Sequence, residues 1–176
     1  GQYSWIANGI IWAADNGAHV ISMSLGGSSS STTLQEAVIY AYNKGVVLVA
    51  AAGNDNTDSP SYPAYYEQCI AVAATDQNDA KASFSNYGSW VDIAAPGVSV
   101  YSTLPNHPNR IGTRNYGSLS GTSMATPHVA GVAALIKARY PTMSNADIAQ
   151  KIISTADPTT GFNPPLGRVN AYRAVQ

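Results

Sequence analysis

An α/β fold, with a parallel central sheet and helices on both faces, is predicted by three observations. Residues 46–50 and 69–74 are continuous apolar runs, and 91–95 is apolar but for Asp92, the pattern of strands buried on both sides. Stretches with helical apolar spacing lie before and after these runs. Gly and Pro close the segments at short intervals. Alternation of this kind implies right-handed β-α-β units and a sheet covered on both faces.

The elements follow in order. Ser4 is expected to cap a first helix running through Asn16, with Ile6, Ile10, Ala13 and Ala14 on one face, and Gly17 ends it. Residues 20–25 read as a strand stopped by Gly26 and Gly27. The serine-rich loop 28–31 is too short for a domain linker. Thr32 or Thr33 opens a second helix with Leu34, Ala37, Val38 and Ala41 apolar, and Gly45 closes it. The three apolar strands come next. Residues 76–120 are expected to be mostly strands and loops, punctuated by Pro96, Pro105 and Pro108. A long helix then runs from Ser123 to about Arg139 and stops at Pro141. Ser144 caps an amphipathic helix carrying Ile148, Ile152 and Ile153. Pro164, Pro165 and Gly167 turn the chain into a short C-terminal helix. No internal repeat and no second domain is visible in residues 1–176.

Composition excludes several classes of function. Hydrophobic residues make up 45% of the 176 and charged residues 11%, with a formal net charge of −1. The chain is therefore globular, and it lacks the basic footprint that nucleic acid or an anionic membrane surface requires. No apolar run is long enough to span a bilayer. The lone Cys69 precludes an internal disulfide and reads as a packed, inert thiol.

The chemistry is concentrated in Gly121-Thr122-Ser123-Met124-Ala125-Thr126-Pro127-His128-Val129-Ala130-Gly131. Here a serine sits among small residues at the start of a buried helix. The small neighbours leave room for a carbonyl to approach. The helix N-terminus offers free N–H groups and partial positive charge to a developing oxyanion. On the triplet alone, a capping serine would be the more common explanation. Two further segments end strands with small residues: Ser24-Leu25-Gly26-Gly27 and Ala50-Ala51-Ala52-Gly53-Asn54. In parallel sheets, ligands gather at such carboxyl ends, which brings Asn54 toward Ser123. The first segment also offers an extended peptide a backbone edge.

These segments together resemble the subtilisin-like serine proteases over the whole chain. The likeness to thermitase-like members is most evident from Tyr62-Pro63-Ala64-Tyr65-Tyr66 through Ala94-Ala95-Pro96-Gly97. The resemblance implies a three-layer fold, incomplete in this chain, and a secreted endopeptidase acting on polypeptides through an acyl-enzyme. Ser123 would be the nucleophile. The Asn54 side chain and the Ser123 backbone N–H would form the oxyanion hole. Ser24, Leu25, Gly26 and Gly27 would wall the primary specificity pocket, with Ala51 and Gly53 opposite and Ser61 near its base. Tyr3, Ile6, Leu25 and Leu34 would line the pocket for the fourth side chain before the cut. A structural calcium or sodium ion is implied at the Ala64 and Tyr66 carbonyls and the Asp92 carboxylate, a set of hard oxygen donors. Some relatives carry an acidic residue where this chain has Trp90, which tilts the expectation toward sodium or weak calcium.

A serine nucleophile needs a base, and an acid to orient that base. The resemblance orders these Asp, His, Ser. Only His19 and His107 precede Ser123, and neither lies in such a motif. His128 follows by five residues, about 140° round the helix and ~7.5 Å along it, and is expected to face away. The chain starts without methionine or signal peptide. It is therefore expected to be the C-terminal part of a peptidase domain whose N-terminal fragment supplies Asp and His, and to be inactive alone. Two other readings stand beside this one. A nucleophile-elbow esterase would place Asp and His after the serine, where only His128 lies. A non-catalytic peptide-binding fragment or pseudoenzyme would use the cleft as a groove.

Overall fold

The computed structural model describes residues 1–176. Helix α1 (Tyr3–Asp15) precedes β1 (Val20–Met23), α2 (Thr32–Asn43), β2 (Val47–Ala51), β3 (Cys69–Thr75) and β4 (Ile93–Pro96). Then come β5 (Val100–Thr103), β6 (Tyr116–Leu119), α3 (Thr122–Arg139), α4 (Asn145–Ser154), β7 (Asp157–Pro158), β8 (Gly167–Arg168) and α5 (Ala171–Ala174). The main sheet has the order β1-β2-β3-β4-β8-β7. Every pairing from β1 to β8 is parallel, and only β7 runs antiparallel, against β8.

Strands β2, β3 and β4 are almost wholly apolar because both faces are covered. Val47, Val49, Ile70, Val72, Ile93 and Ala95 pack in one cluster with Val129, Ala133 and Ile136 of α3 and Ile148 and Ile152 of α4. Their neighbours Leu48, Ala50, Cys69 and Ala71 pack on the opposite side with Ala7 and Ile10 of α1 and Leu34 and Val38 of α2. The two-residue period of a strand thus divides each run between two helical layers, giving the three-layer α/β arrangement. Each large aliphatic side chain so buried contributes ~1.5–3 kcal/mol.

Several boundaries differ from expectation. Gln2, with no side-chain cap bond, precedes α1, so Ser4 lies inside the helix. Tyr3 and Ile6 pack against the core beneath α1 and α2, and that packing draws the start of the helix back to Tyr3. Its end is as expected, with Gly17 at φ +84°. Strand β1 stops at Met23, leaving Ser24 and Leu25 outside the sheet. Ser31 caps α2, accepting from the Leu34 N–H at 3.4 Å. Segments 52–68 and 76–92 contain no helix. Helical crossovers therefore join only β1 to β2, through α2, and β4 toward β8, through α3 and α4. Residues 100–119 hold a separate antiparallel pair, β5 and β6, with Tyr101 and Tyr116 stacked at 6.1 Å.

Candidate active site

Helix α3 begins where β1 and β2 end, and side-chain hydrogen bonds fasten the three together. Asn54, just past β2, accepts through Oδ1 from the Thr122 N–H at 2.8 Å and from Thr122 Oγ1 at 3.0 Å. The Gly53 N–H donates to Thr122 Oγ1 at 3.2 Å. With its oxygen held, the Asn54 amide can turn only its Nδ2 outward, and this group donates to no protein atom. The Ser123 N–H, in the first turn of α3, likewise has no acceptor within the chain, as helix geometry dictates. A Cβ built on Gly121 would lie 3.5 Å from Asn54 Nδ2 and 3.7 Å from the Ser123 nitrogen. Two uncommitted donors therefore flank one point beside the half-buried Ser123. A preorganised pair of this kind can stabilise an oxyanion without reorganising. Thr122, which sets the orientation of Asn54, was not singled out in the sequence, because a threonine inside a motif carries no signal of its partner.

The Asn54 loop rests on Asn86, also invisible to sequence reading. This side chain is buried, 2% exposed. Its Oδ1 accepts from the Asp55 N–H at 2.9 Å and the Thr57 N–H at 3.3 Å, and its Nδ2 donates to the Ala52 carbonyl at 2.9 Å. Gly53, at φ +107°, leaves room for it, since a Cβ there would stand 2.5 Å from Asn86 Nδ2.

A cleft of about 310 Å³ opens beside Ser123, lined by Leu25, Gly26, Gly27, Ala51, Gly53, Asn54, Ser61, Thr122 and Ser123 among others. Gly26 keeps it open, because a Cβ there would meet Ser61 Oγ at 2.8 Å. Gly27 is already paired with Tyr62, N–H to carbonyl in both directions at 3.0 and 2.8 Å. The backbone from Ser24 to Gly26 has no such partner and is open to an extended chain. Ser24 does not line this cleft; its hydroxyl donates to the Ser123 carbonyl at 2.8 Å. Tyr3 donates its hydroxyl to the Ser29 carbonyl at 2.7 Å and stands beside Gly27. Tyr3 and Ile6 are partly buried against the cluster that holds Leu34. Leu34 is 0% exposed, so it presents no surface to a ligand and backs the other two from the core.

For a cation, the donor chemistry is one carboxylate plus backbone carbonyls. Asp92 is half-buried; its Oδ2 accepts from the Ala71 N–H at 2.7 Å, and Oδ1 has no protein donor. Burial pushes its carboxyl pKa up, and the Ala71 N–H offsets this in part. The buried Tyr66 carbonyl accepts from the Cys69 N–H at 2.8 Å. Burial, aided by the Asp92 charge, lifts the Cys69 thiol to about 12, which makes it inert. No three His, Cys, Asp or Glu side chains stand together as a metal cluster. The chemistry of the expected donor set, a single carboxylate with the Ala64 and Tyr66 carbonyls, would suit a weakly held hard cation better than a tightly chelated divalent one.

No imidazole is bonded to Ser123. His19 is exposed in the turn before β1, and His107 is exposed with its Nδ1 3.1 Å from the neighbouring Pro108 carbonyl. His128 Nδ1 lies 2.9 Å from the Met124 carbonyl of its own helix. His128 nevertheless lines a cavity of about 420 Å³ that also reaches Ser123 and is walled by β5, β6 and α3. The two are thus not on opposite sides of α3, as the helical offset suggested; the cavity runs along the helix and touches both.

Residues 1–171 match the sequence profile of the Subtilase family. Thermitase from Thermoactinomyces vulgaris is 57% identical over 178 residues, covering 100% of this chain and 61% of its own length. A thermophilic serine proteinase from a Bacillus strain is 50% identical, covering 99% of this chain and 42% of its own length. Among solved structures, a cold-adapted subtilisin-like serine proteinase superposes with a TM-score of 0.85 at 36% identity, over 97% of this chain and 62% of that one. The self-cleaved protease domain of PatA gives a TM-score of 0.87 at 33% identity, over 99% of this chain and 67% of that one. The chain therefore spans less than two thirds of the length of the curated relatives named here.

Proposed function

This chain belongs to the subtilase family, and from that premise we propose that it carries the nucleophile and oxyanion hole of a serine endopeptidase. Ser123 Oγ attacks the scissile carbonyl. The charge that develops on the carbonyl oxygen is received by Asn54 Nδ2 and the Ser123 N–H. An acyl-enzyme forms and is hydrolysed. The base and its orienting carboxylate come from an N-terminal fragment of the same protease, since no histidine of this chain is bonded to the serine. The substrate is an extended polypeptide laid along the unpaired backbone of Ser24 to Gly26. Its side chain before the cut enters the roomy cleft of Leu25 to Gly27, Ala51, Gly53 and Ser61, with some preference for apolar or aromatic residues. Asp92 with the Ala64 and Tyr66 carbonyls would hold a structural sodium or calcium ion, which neutralises a half-buried carboxylate. The protease acts outside the cell; no helix here is long and apolar enough to cross a membrane.

The observation that carries this reading is the pair of uncommitted donors flanking one point beside Ser123. The test is peptide hydrolysis by the complete protease, or by this chain combined with its N-terminal fragment. Ser123→Ala is expected to remove activity. Asn54→Ala is expected to lower kcat about 10²–10³-fold, the loss known for the corresponding donor of subtilisin. Undiminished proteolysis by Ser123→Ala would end the assignment. Peptide binding without cleavage, even with the fragment present, would instead favour a non-catalytic groove, to which the lack of a bonded base in this chain lends some support.

A further inference from the structure

One carbonyl at the start of α3 lacks its usual helical donor. In an α-helix the carbonyl of a residue accepts from the N–H four positions on. Four positions on from Ser123 is Pro127, inside α3, and proline has no N–H to give. The missing donor arrives from a distant part of the chain. Ser24 Oγ donates to the Ser123 carbonyl at 2.8 Å, across 99 residues of sequence. The other end of that same peptide unit is the Met124 N–H, which donates to the Gly121 carbonyl at 2.9 Å. The unit linking Ser123 to Met124 is therefore pinned at both ends, once by the local turn and once by Ser24. Ser24 reaches it because β1 stops at Met23.

We infer that Ser24 is a positioning residue. Its hydroxyl replaces the N–H that Pro127 lacks, and so fixes the backbone from which the Ser123 side chain is aimed. This inference rests on the reading of Ser123 as nucleophile. It gives the Ser24 side chain a role separate from walling the specificity cleft, which is left to the backbone of the same segment. It also ties that wall rigidly to the nucleophile, so that a substrate seated on one is in register with the other.

The test uses the complete protease, with kcat, KM and the rate of fluorophosphonate labelling measured for each variant. Ser24→Ala is expected to lower kcat and labelling about tenfold, with KM within about twofold, as loss of one neutral hydrogen bond acting on the chemical step would do. Ser24→Thr keeps the donor and is expected to stay within about threefold of wild type. Pro127→Ala restores an N–H at the position that serves the Ser123 carbonyl. In that background Ser24→Ala should cost less than about twofold. An equal cost in both backgrounds overturns the inference. So do equal rates for Ser24→Ala and Ser24→Thr, or a change confined to KM, which would mean direct contact with substrate. If Pro127→Ala is too impaired to assay, the contrast between alanine and threonine at position 24 decides. Failure of the underlying reading looks different: wild type would cleave nothing, or Ser123→Ala would still cleave.

Discussion

Asn54 and Asp92 show how neighbours set what a side chain can do. Two Thr122 donors hold the Asn54 oxygen, and this alone decides which end of the amide faces the cleft. Asp92 is governed by burial. Its raised carboxyl pKa means that the folded chain holds this proton more readily than the unfolded chain does. The stability so gained is present below the ordinary carboxylate range and is lost as pH rises through the raised value. Asp92→Asn keeps an acceptor for the Ala71 N–H and abolishes the titration. In cation-free buffer, urea unfolding from about pH 4 to about pH 7 should show wild type losing stability relative to the variant. Sodium or calcium should close the gap. Parallel pH profiles for the two proteins would show that Asp92 does not titrate in this way.

At the scale of elements, the loop after β2 shows how a segment without secondary structure becomes rigid. Asn86 gives segment 52–57 three hydrogen bonds from a side chain that is 2% exposed. The Asn86 N–H in turn donates to the Gly53 carbonyl at 3.0 Å. Asn86→Ala would strand two N–H groups and one carbonyl. It should destabilise the fold by about 2–4 kcal/mol, read as a lower urea midpoint, and slow acylation through a loosened Asn54. A variant as stable as wild type would mean that solvent satisfies those groups. The start of α3 follows the same logic: a proline four residues after Ser123 removes a donor, and a residue from another element replaces it.

For the molecule as a whole, the two ends of the sheet differ. The β8–β7 end is finished by a short antiparallel strand, and Arg168 and Arg173 tie it to Asp157 at 3.0 and 3.1 Å. At the opposite end, β1 pairs only with β2, leaving a row of unpaired backbone groups. On the proposed reading, the N-terminal fragment carrying the base would approach from near this edge, since Ser24, just past β1, is bonded to the Ser123 carbonyl. The isolated chain is expected to self-associate as its concentration rises. With the fragment added, it should form a one-to-one complex in native mass spectrometry. Strong hydrogen-exchange protection of the β1 amides in the isolated monomer would contradict an open edge.

The buried strands and main helices were legible in the sequence because their signal is local. Apolar runs, helical spacing, Gly17 and Pro141 each act within one or two turns of chain. Ser123 and Asn54 were singled out through the family resemblance of the motifs that carry them, not by local pattern alone. What the tertiary structure alone decided lies between segments distant in sequence. Thr122 on Asn54, Asn86 beneath the loop, Ser24 on the Ser123 carbonyl and the burial of Leu34 all join residues that no periodicity relates. The absence of helix between β3 and β4 was expected from the sequence, but the hydrogen bonds that hold these segments were not, since they too are long-range. Local pattern fixes where the backbone can bend and which face seeks the core; which polar groups find each other is settled only when the packed layers bring them within bonding distance.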